Sequence, residues 1–292
     1  MNVLITGASG FLGSHLARAL LARGDSVFAY RRPTSALERL GEDAERIIWF
    51  DLDAGQLARP FESVTIDALV HAATCYGRNG ESTAEIAATN VLFPLRLVDL
   101  ARTHGCSVFA NIDSFFTKAG PDFQNAPRYT VSKRHLREWL KVDAASTLAV
   151  RNLLLEHVYG PRDASSKFIP AVLAALATNQ ARLALTPGEQ RRDFIYVTDV
   201  ISAILCVLDL VPREPGFAEF EVGRGIPVPV REMVEMARSL LGSTTDLGFG
   251  DLPYVQGELM HSQADPGRLI ALGWSPMVSL DEGLRRLAAT VR

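Results

Sequence analysis

The sequence predicts an α/β protein, a doubly wound parallel sheet with helices on both faces, followed by a smaller mixed α/β lobe. Three observations carry this. The chain opens with a β-branched apolar run, Val3 to Ile5, then a glycine loop, then an amphipathic stretch. Short apolar runs then alternate with helical patterns over about half the chain, as parallel strands joined by helical crossovers require. After residue 160 the texture changes: Pro161, Pro170, Pro187, Pro212, Pro215, Pro227 and Pro229 punctuate shorter elements.

Taken in order, the first helix runs from Phe11 to Arg23, with Leu12, Leu16, Ala19 and Leu20 at helical spacing, and Gly24 ends it. "SVFAY" reads as the second strand. Further strands are expected at Ile47–Phe50, Ala68–His71, Ser107–Ile112 and Thr147–Leu153, and helices at Ser82–His104 and Tyr129–Asp143. Residues 1–160 form the first domain in this reading, with 190–212 packing back onto it, and 161–292 form mainly the second. A ligand is expected in the cleft between two such lobes.

Composition narrows the function. Hydrophobic content of 48% and charged content of 22% are those of a soluble globular chain. A net charge of −3 gives no basic footprint, which argues against nucleic acid or an anionic membrane as partner. Cys75, Cys106 and Cys206 match no metal or disulfide spacing, which fits a reducing cytosol, and the six scattered His suggest no structural metal. The first strand begins at Asn2, so no signal peptide is expected, and no apolar run approaches the roughly 18 residues of a bilayer span.

"TGASGFLG" sets Gly7, Gly10 and Gly13 between a strand and a helix. Backbone without Cβ atoms lets a pyrophosphate approach, and the helix start at Phe11 and Leu12 presents free N–H groups to its charge. A dinucleotide is therefore expected. At the end of the second strand an acid would bind the ribose hydroxyl of NAD, and arginine would accept the 2′-phosphate of NADP. The chain reads "AYRRPTS", so Arg31 and Arg32 favour NADP(H) over NAD. In "FDLDA", Asp51 and Leu52 lie where the adenine amine would be met. Ala72 and Ala73 in "ALVHAAT" are small enough for the dinucleotide to lie across the strand end.

"YTVSK" puts Tyr129 and Lys133 one helical turn apart; with six Tyr and four Lys, chance gives such a pair only ~0.08 times. In order along the chain, "TGASGFLG", "HAA", "TNVLFPLRLVDLAR", "YTVSK", "HVYGPRD", "RRDFIYVTDV", "FEVGRG" and "ADPGRLIALGWSPMVSLDEGL" resemble the extended short-chain dehydrogenase/reductase family, which has a Rossmann-type dinucleotide domain.

That resemblance implies roles. Tyr129 would exchange a proton with the sugar carbonyl oxygen. Lys133 would hold the nicotinamide ribose and depress the tyrosine pKa by its charge. Ser114 would hydrogen-bond the reacting oxygen, Asn90 would support Lys133 through a water, and Arg192 would grip the sugar nucleotide. The chain lacks the Asp-Glu pair that dehydratases of the family carry after the position of Ser114, and Tyr129 comes only 15 positions after Ser114. His157 stands where many members have asparagine, and "QGELMHSQAD" replaces a usual arginine.

"ATCYGR", "LEHVYG" and "GEQRRDFIYVTD" add a narrower resemblance to nucleotide-sugar 4-ketoreductases, the group that includes CDP-paratose and CDP-abequose synthases. It implies that Cys75, Tyr76, Arg78, Ser114, His157, Phe168 and Arg192 contact substrate. Cys75 is read as packing, its alternative being a nucleophile. The expected activity is NADPH-dependent reduction of a 4-keto-6-deoxy sugar on a nucleoside diphosphate, in a cytoplasmic homodimer built on the Ser82–His104 and Tyr129–Asp143 helices. The alternatives are a 4-epimerase with tightly bound NAD and a nucleotide-sensing member without catalysis.

Overall fold

A computed structural model describes residues 1–52, 56–118, 126–143, 148–210 and 214–291. The chain has the α/β fold the sequence predicts. Six strands, β1 (Asn2–Thr6), β2 (Ser26–Arg31), β3 (Ile48–Asp51), β4 (Ala68–His71), β5 (Val108–Ser114) and β6 (Ala149–Leu155), join the strand Gly216–Val222 in one sheet. The order is β3-β2-β1-β4-β5-β6 and then Gly216–Val222, and the pairs from β3 to β5 are parallel. Val3, Leu4 and Ile5 of β1 are fully buried because β1 is central and covered on both faces. The chain runs from β1 outward to β3 and then returns to β4 on the other side of β1. The carboxyl ends of β1 and β4 therefore flank the point where strand order reverses, the usual ligand crevice of such sheets.

Local boundaries follow the residues. Helix α1 covers Phe11–Arg23 and ends at Gly24, whose φ of +89° suits glycine. β5 and β6 run two residues beyond their expected ends; position 147, the expected start of β6, lies outside the described residues, as does Pro212. The segment expected as one helix over Ser82–His104 is three pieces: Thr83–Ala87, a π-helical turn at Ala88–Leu92, and Phe93–Thr103. Ser82 starts it with a reciprocal capping box to Glu85.

Among the described residues the chain divides into two compact units. The first comprises Met1–Thr117, Ala126–Leu154 and Ile201–Phe220, and the second Leu155–Val200 and Glu221–Arg292 with Lys118. The first unit's core gathers Leu4, Leu69, Leu97, Phe109, Leu136 and Val150 between the sheet and its helices. The second has three two-stranded ladders, among them His157–Tyr159 parallel to Phe194–Tyr196. In that unit Asp193 accepts hydrogen bonds from the main-chain N–H of Arg224, Gly225 and Ala264, tying three loops together. No helix among the described residues is long and apolar enough to cross a membrane.

Candidate active site

The glycine loop is shaped by contacts that only glycine permits. Gly7 has φ +74°, and a Cβ there would stand 2.8 Å from the Ala73 nitrogen. A Cβ on Gly13 would lie 2.1 Å from the Gly7 oxygen. The loop thus presses against Ala72 and Ala73 at the end of β4. Thr6 holds that junction, its hydroxyl accepting from the Ala73 N–H at 3.1 Å and bonding His71 Nδ1 at 2.9 Å. Gly10 caps α1 without a side chain and the first turn contains no acid, so the N–H groups around Phe11 and Leu12 meet no built-in anion.

At the ends of β2 and β3 the parallel register sets Arg31 beside Asp51, and Arg31 Nε donates to Asp51 Oδ1 at 2.8 Å. Two residues expected to contact different parts of a dinucleotide are therefore bonded to each other. Leu52 is tied to the same place by its N–H on the Arg31 oxygen, 2.7 Å. The Arg32 side chain is exposed, and its main-chain N–H donates to Ser35 Oγ.

Tyr129 sits in an aromatic nest and is only 5% exposed. Tyr76 stacks on it with centroids 4.8 Å apart, Phe116 meets it edge-on at 6.0 Å, and the Arg78 guanidinium lies 5.1 Å from the Tyr76 ring. Ser114 Oγ, which accepts from the Phe116 N–H at 3.3 Å, acts to lower the pKa of the phenol. The expected depression of the Tyr129 pKa is overturned. Burial, with smaller contributions from Tyr76 and Asp113, pushes the phenol well above its ordinary value. Lys133 does not reverse this: its ammonium donates to the Ile112 oxygen at 2.8 Å, and burial draws its own pKa down.

Asn90 also departs from expectation. It lies in the π-helical turn, fully buried, and its amide is committed on both sides. Nδ2 donates to the Cys75 oxygen (2.8 Å) and Ser132 Oγ (2.9 Å), while Oδ1 accepts from the Cys75 N–H (2.8 Å) and Thr74 Oγ1 (3.4 Å). An amide offers two donors and two acceptor sites. All are used, which leaves none for a water on Lys133. Asn90 instead fixes the chain after β4, and Ser132 Oγ passes the link on by donating to the Tyr129 main-chain carbonyl oxygen at 2.7 Å.

The second unit holds His157, Phe168 and Arg192. His157 lies 3.8 Å from Glu156, and burial holds its pKa below the usual range. Phe168 is exposed at the start of its helix. Arg192 is buried, with its guanidinium on Glu258 and on the Arg191 oxygen. Glu258 belongs to "QGELMHSQAD", the segment lacking the expected arginine, so an acid stands beside Arg192, the cation expected to grip the sugar nucleotide. Glu258, Ser132 and Asp113 were not among the expected site residues. Only Asp113 left a sequence signal, as an acid inside the apolar strand "VFANIDS".

Residues 3–223 match the model of the NAD dependent epimerase/dehydratase family. The chain belongs to this family. It is 35% identical over 292 residues to a CDP-abequose synthase of Salmonella typhimurium, covering 98% of this chain and 96% of that one. It is 30% identical to a dTDP-4-dehydro-6-deoxy-D-allose reductase of Streptomyces bikiniensis, covering 82% and 81%. Among solved structures, a UDP-glucose 4-epimerase of Thermotoga maritima superposes with a TM-score of 0.86 at 22% identity, over 99% and 98% of the two chains, which shows the shared family fold.

Proposed function

We propose that this protein reduces the C4 ketone of a nucleotide-activated 4-keto-6-deoxy sugar, 3,6-dideoxy sugars included, with NADPH as reductant and Tyr129 as proton donor. Membership of the epimerase/dehydratase family and the two sugar-nucleotide relatives support an oxidoreductase acting on nucleotide sugars. The observation that supports the finer reading is the burial of Tyr129, which pushes its phenol well above the ordinary value and so disfavours the phenolate that a base would require. A reductase needs an acid at O4 at the start of its cycle, whereas an enzyme that begins by oxidising a sugar hydroxyl needs a base.

The residues present fit a dinucleotide: the cradle at Gly7 and Gly13 excludes a Cβ, and the first turn of α1 carries no side-chain cap. Gly7, Gly10, Gly13 and the N–H groups of Phe11 and Leu12 would hold the pyrophosphate. Arg31 and Arg32 would meet a 2′-phosphate, Asp51 and Leu52 the adenine, and Ala72 and Ala73 the face of the dinucleotide. When bound, the reduced nicotinamide supplies a hydride. Tyr129 would give its proton to O4, Ser114 would hydrogen-bond the same oxygen, and the Lys133 charge would stabilise the phenolate left behind. Asn90 would position this group by anchoring Cys75 and Ser132. Cys75, Tyr76 and Arg78, with His157, Phe168 and Arg192 of the second unit, would contact the sugar nucleotide.

The Arg31–Asp51 pair favours a second reading, a 4-epimerase retaining NAD, because it occupies one of the two cations meant for a 2′-phosphate. One incubation separates the two. Protein mixed with NADPH and a CDP- or dTDP-4-keto-6-deoxy sugar should oxidise the cofactor stoichiometrically with sugar. Purified protein holding non-exchanging NAD, with no NADPH oxidation, contradicts the reductase.

We also infer a cytosolic homodimer. Val131, Trp139 and Val142 are 46%, 57% and 75% exposed on the helix Pro127–Asp143, and their spacing places them on one face. A second copy of this helix is the occupant that would cover them.

A further inference from the structure

Lys133 is 3% exposed, yet its one hydrogen bond described is to a neutral partner, the Ile112 oxygen. A buried ammonium is costly without an opposing charge. The next residue after that oxygen is Asp113, also 3% exposed and electrostatically coupled to Lys133. Its carboxylate is held from two sides. Oδ1 accepts from the Ser114 N–H at 2.8 Å and Oδ2 from Asn152 Nδ2 at 3.0 Å. Both partners are donors, which suits a carboxylate; burial pushes the Asp113 pKa up, and Lys133, Asn152, the Ser114 N–H and Arg137 oppose it in favour of the ionised form. Asn152 is itself fully buried and oriented by its neighbours: Nδ2 also donates to Glu219 at 3.0 Å, and Oδ1 accepts from Asn111 at 2.7 Å. Glu219 is gripped by both arms of Arg137, one turn beyond Lys133 on the same helix. The polar chain Asp113–Asn152–Glu219–Arg137 thus leaves β5 and closes on the helix that carries Tyr129 and Lys133.

We propose that Asp113 is a positioning residue: a fixed anion, locked in place by Asn152, that keeps Lys133 cationic one helical turn from Tyr129. It rests on the reductase reading for its purpose, since the cation is what would stabilise the phenolate formed when Tyr129 gives up its proton. The other charged or titratable groups around the pair are Tyr129 and Arg137 on the same helix, Glu219 through Asn152, and His71 on β4, which burial and Lys133 keep neutral. Burial pulls the lysine pKa down and Asp113 opposes it. Without the carboxylate the desolvation acts alone, so Lys133 would lose its proton at lower pH.

The chain has only four lysines, Lys118, Lys133, Lys141 and Lys167. Carbon-13 labelling at lysine Cε therefore gives a spectrum in which Lys133 is assigned by its loss in Lys133→Arg. In full-length Asp113→Asn, Lys133 should titrate about one pH unit or more below its wild-type value. Asn152→Ser, which removes one donor from the carboxylate, should shift it the same way by less, and decides the matter alone if Asp113→Asn does not fold. The alkaline limb of kcat against pH should move down in step. An unshifted Lys133 in whichever of the two variants folds overturns the proposal. The titration needs no substrate: a protein showing this shift but reducing no keto sugar would refute the function and leave the counter-charge standing.

Discussion

The Tyr76 ring, 40% exposed, lies over the 5%-exposed Tyr129 with 4.8 Å between centroids and 29° between planes, and Phe116 meets Tyr129 edge-on. Burial, with a smaller contribution from this neighbour on the loop after β4, raises the pKa of the proposed proton donor. An aromatic stack of this kind contributes about 0.5–1.5 kcal/mol beyond its buried area. Tyr76→Phe preserves the stack and should leave kcat/KM within about twofold, while Tyr76→Ala should lower it by about tenfold. Steady-state kinetics on both variants checks this, and equal activity in the two would remove Tyr76 from the account.

The Arg31–Asp51 pair makes the two arginines unequal. Arg32 is outside that ion pair, so Arg32→Ala should weaken NADPH binding more than Arg31→Ala, by about tenfold or more, the size of one charge-assisted contact. Asp51→Asn should release Arg31 and widen the preference for NADPH over NADH. Fluorescence titration with both cofactors measures it. Equal losses for NADPH and NADH in Arg32→Ala would contradict a 2′-phosphate contact.

Asn90 joins the segment after β4 to the helix of Tyr129. Asn90→Ala would take the Asn90 partner from the part-buried N–H and C=O of Cys75 and leave Ser132 Oγ only its bond to the Tyr129 main-chain oxygen, at a cost of about 1–3 kcal/mol. Urea unfolding should show a lower midpoint with an unchanged slope. A wild-type midpoint would mean that the segment is held by other contacts.

For the homodimer, Trp139→Glu should give a particle of half the wild-type mass in light scattering while NADPH affinity is retained. A wild-type particle that is already monomeric, or a variant that remains dimeric, would place the interface elsewhere or nowhere.

What the sequence made legible divides by physical type. The glycine loop, β1 to β6 and α1 were readable because each has a local cause, such as a run of β-branched residues, a glycine forced by a positive φ, or an apolar stripe. Tyr129 and Lys133 stood out as a pair one helical turn apart, and Ser114 through the family resemblance alone. Their electrostatics were not readable. The direction of the Tyr129 pKa depends on burial by side chains from other parts of the chain, Tyr76 among them, and the destination of the Lys133 ammonium depends on the end of β5. The Arg31–Asp51 bond needs the register of two parallel strands, and the four bonds of Asn90 need a π-helical turn that no spacing rule announces. Glu258 and Asp113 were visible as letters, but their partners lie 66 residues away for one and 39 for the other.

The central claim is that Tyr129 protonates O4 as NADPH reduces the sugar. Its most direct test is NADPH oxidation by wild type and Tyr129→Phe, side by side, on a CDP-4-keto-6-deoxy sugar with cofactor affinity measured for both. The account predicts turnover in wild type, a fall of about 10²–10⁴-fold in Tyr129→Phe, and near-equal NADPH affinity. Undiminished turnover in Tyr129→Phe would contradict it.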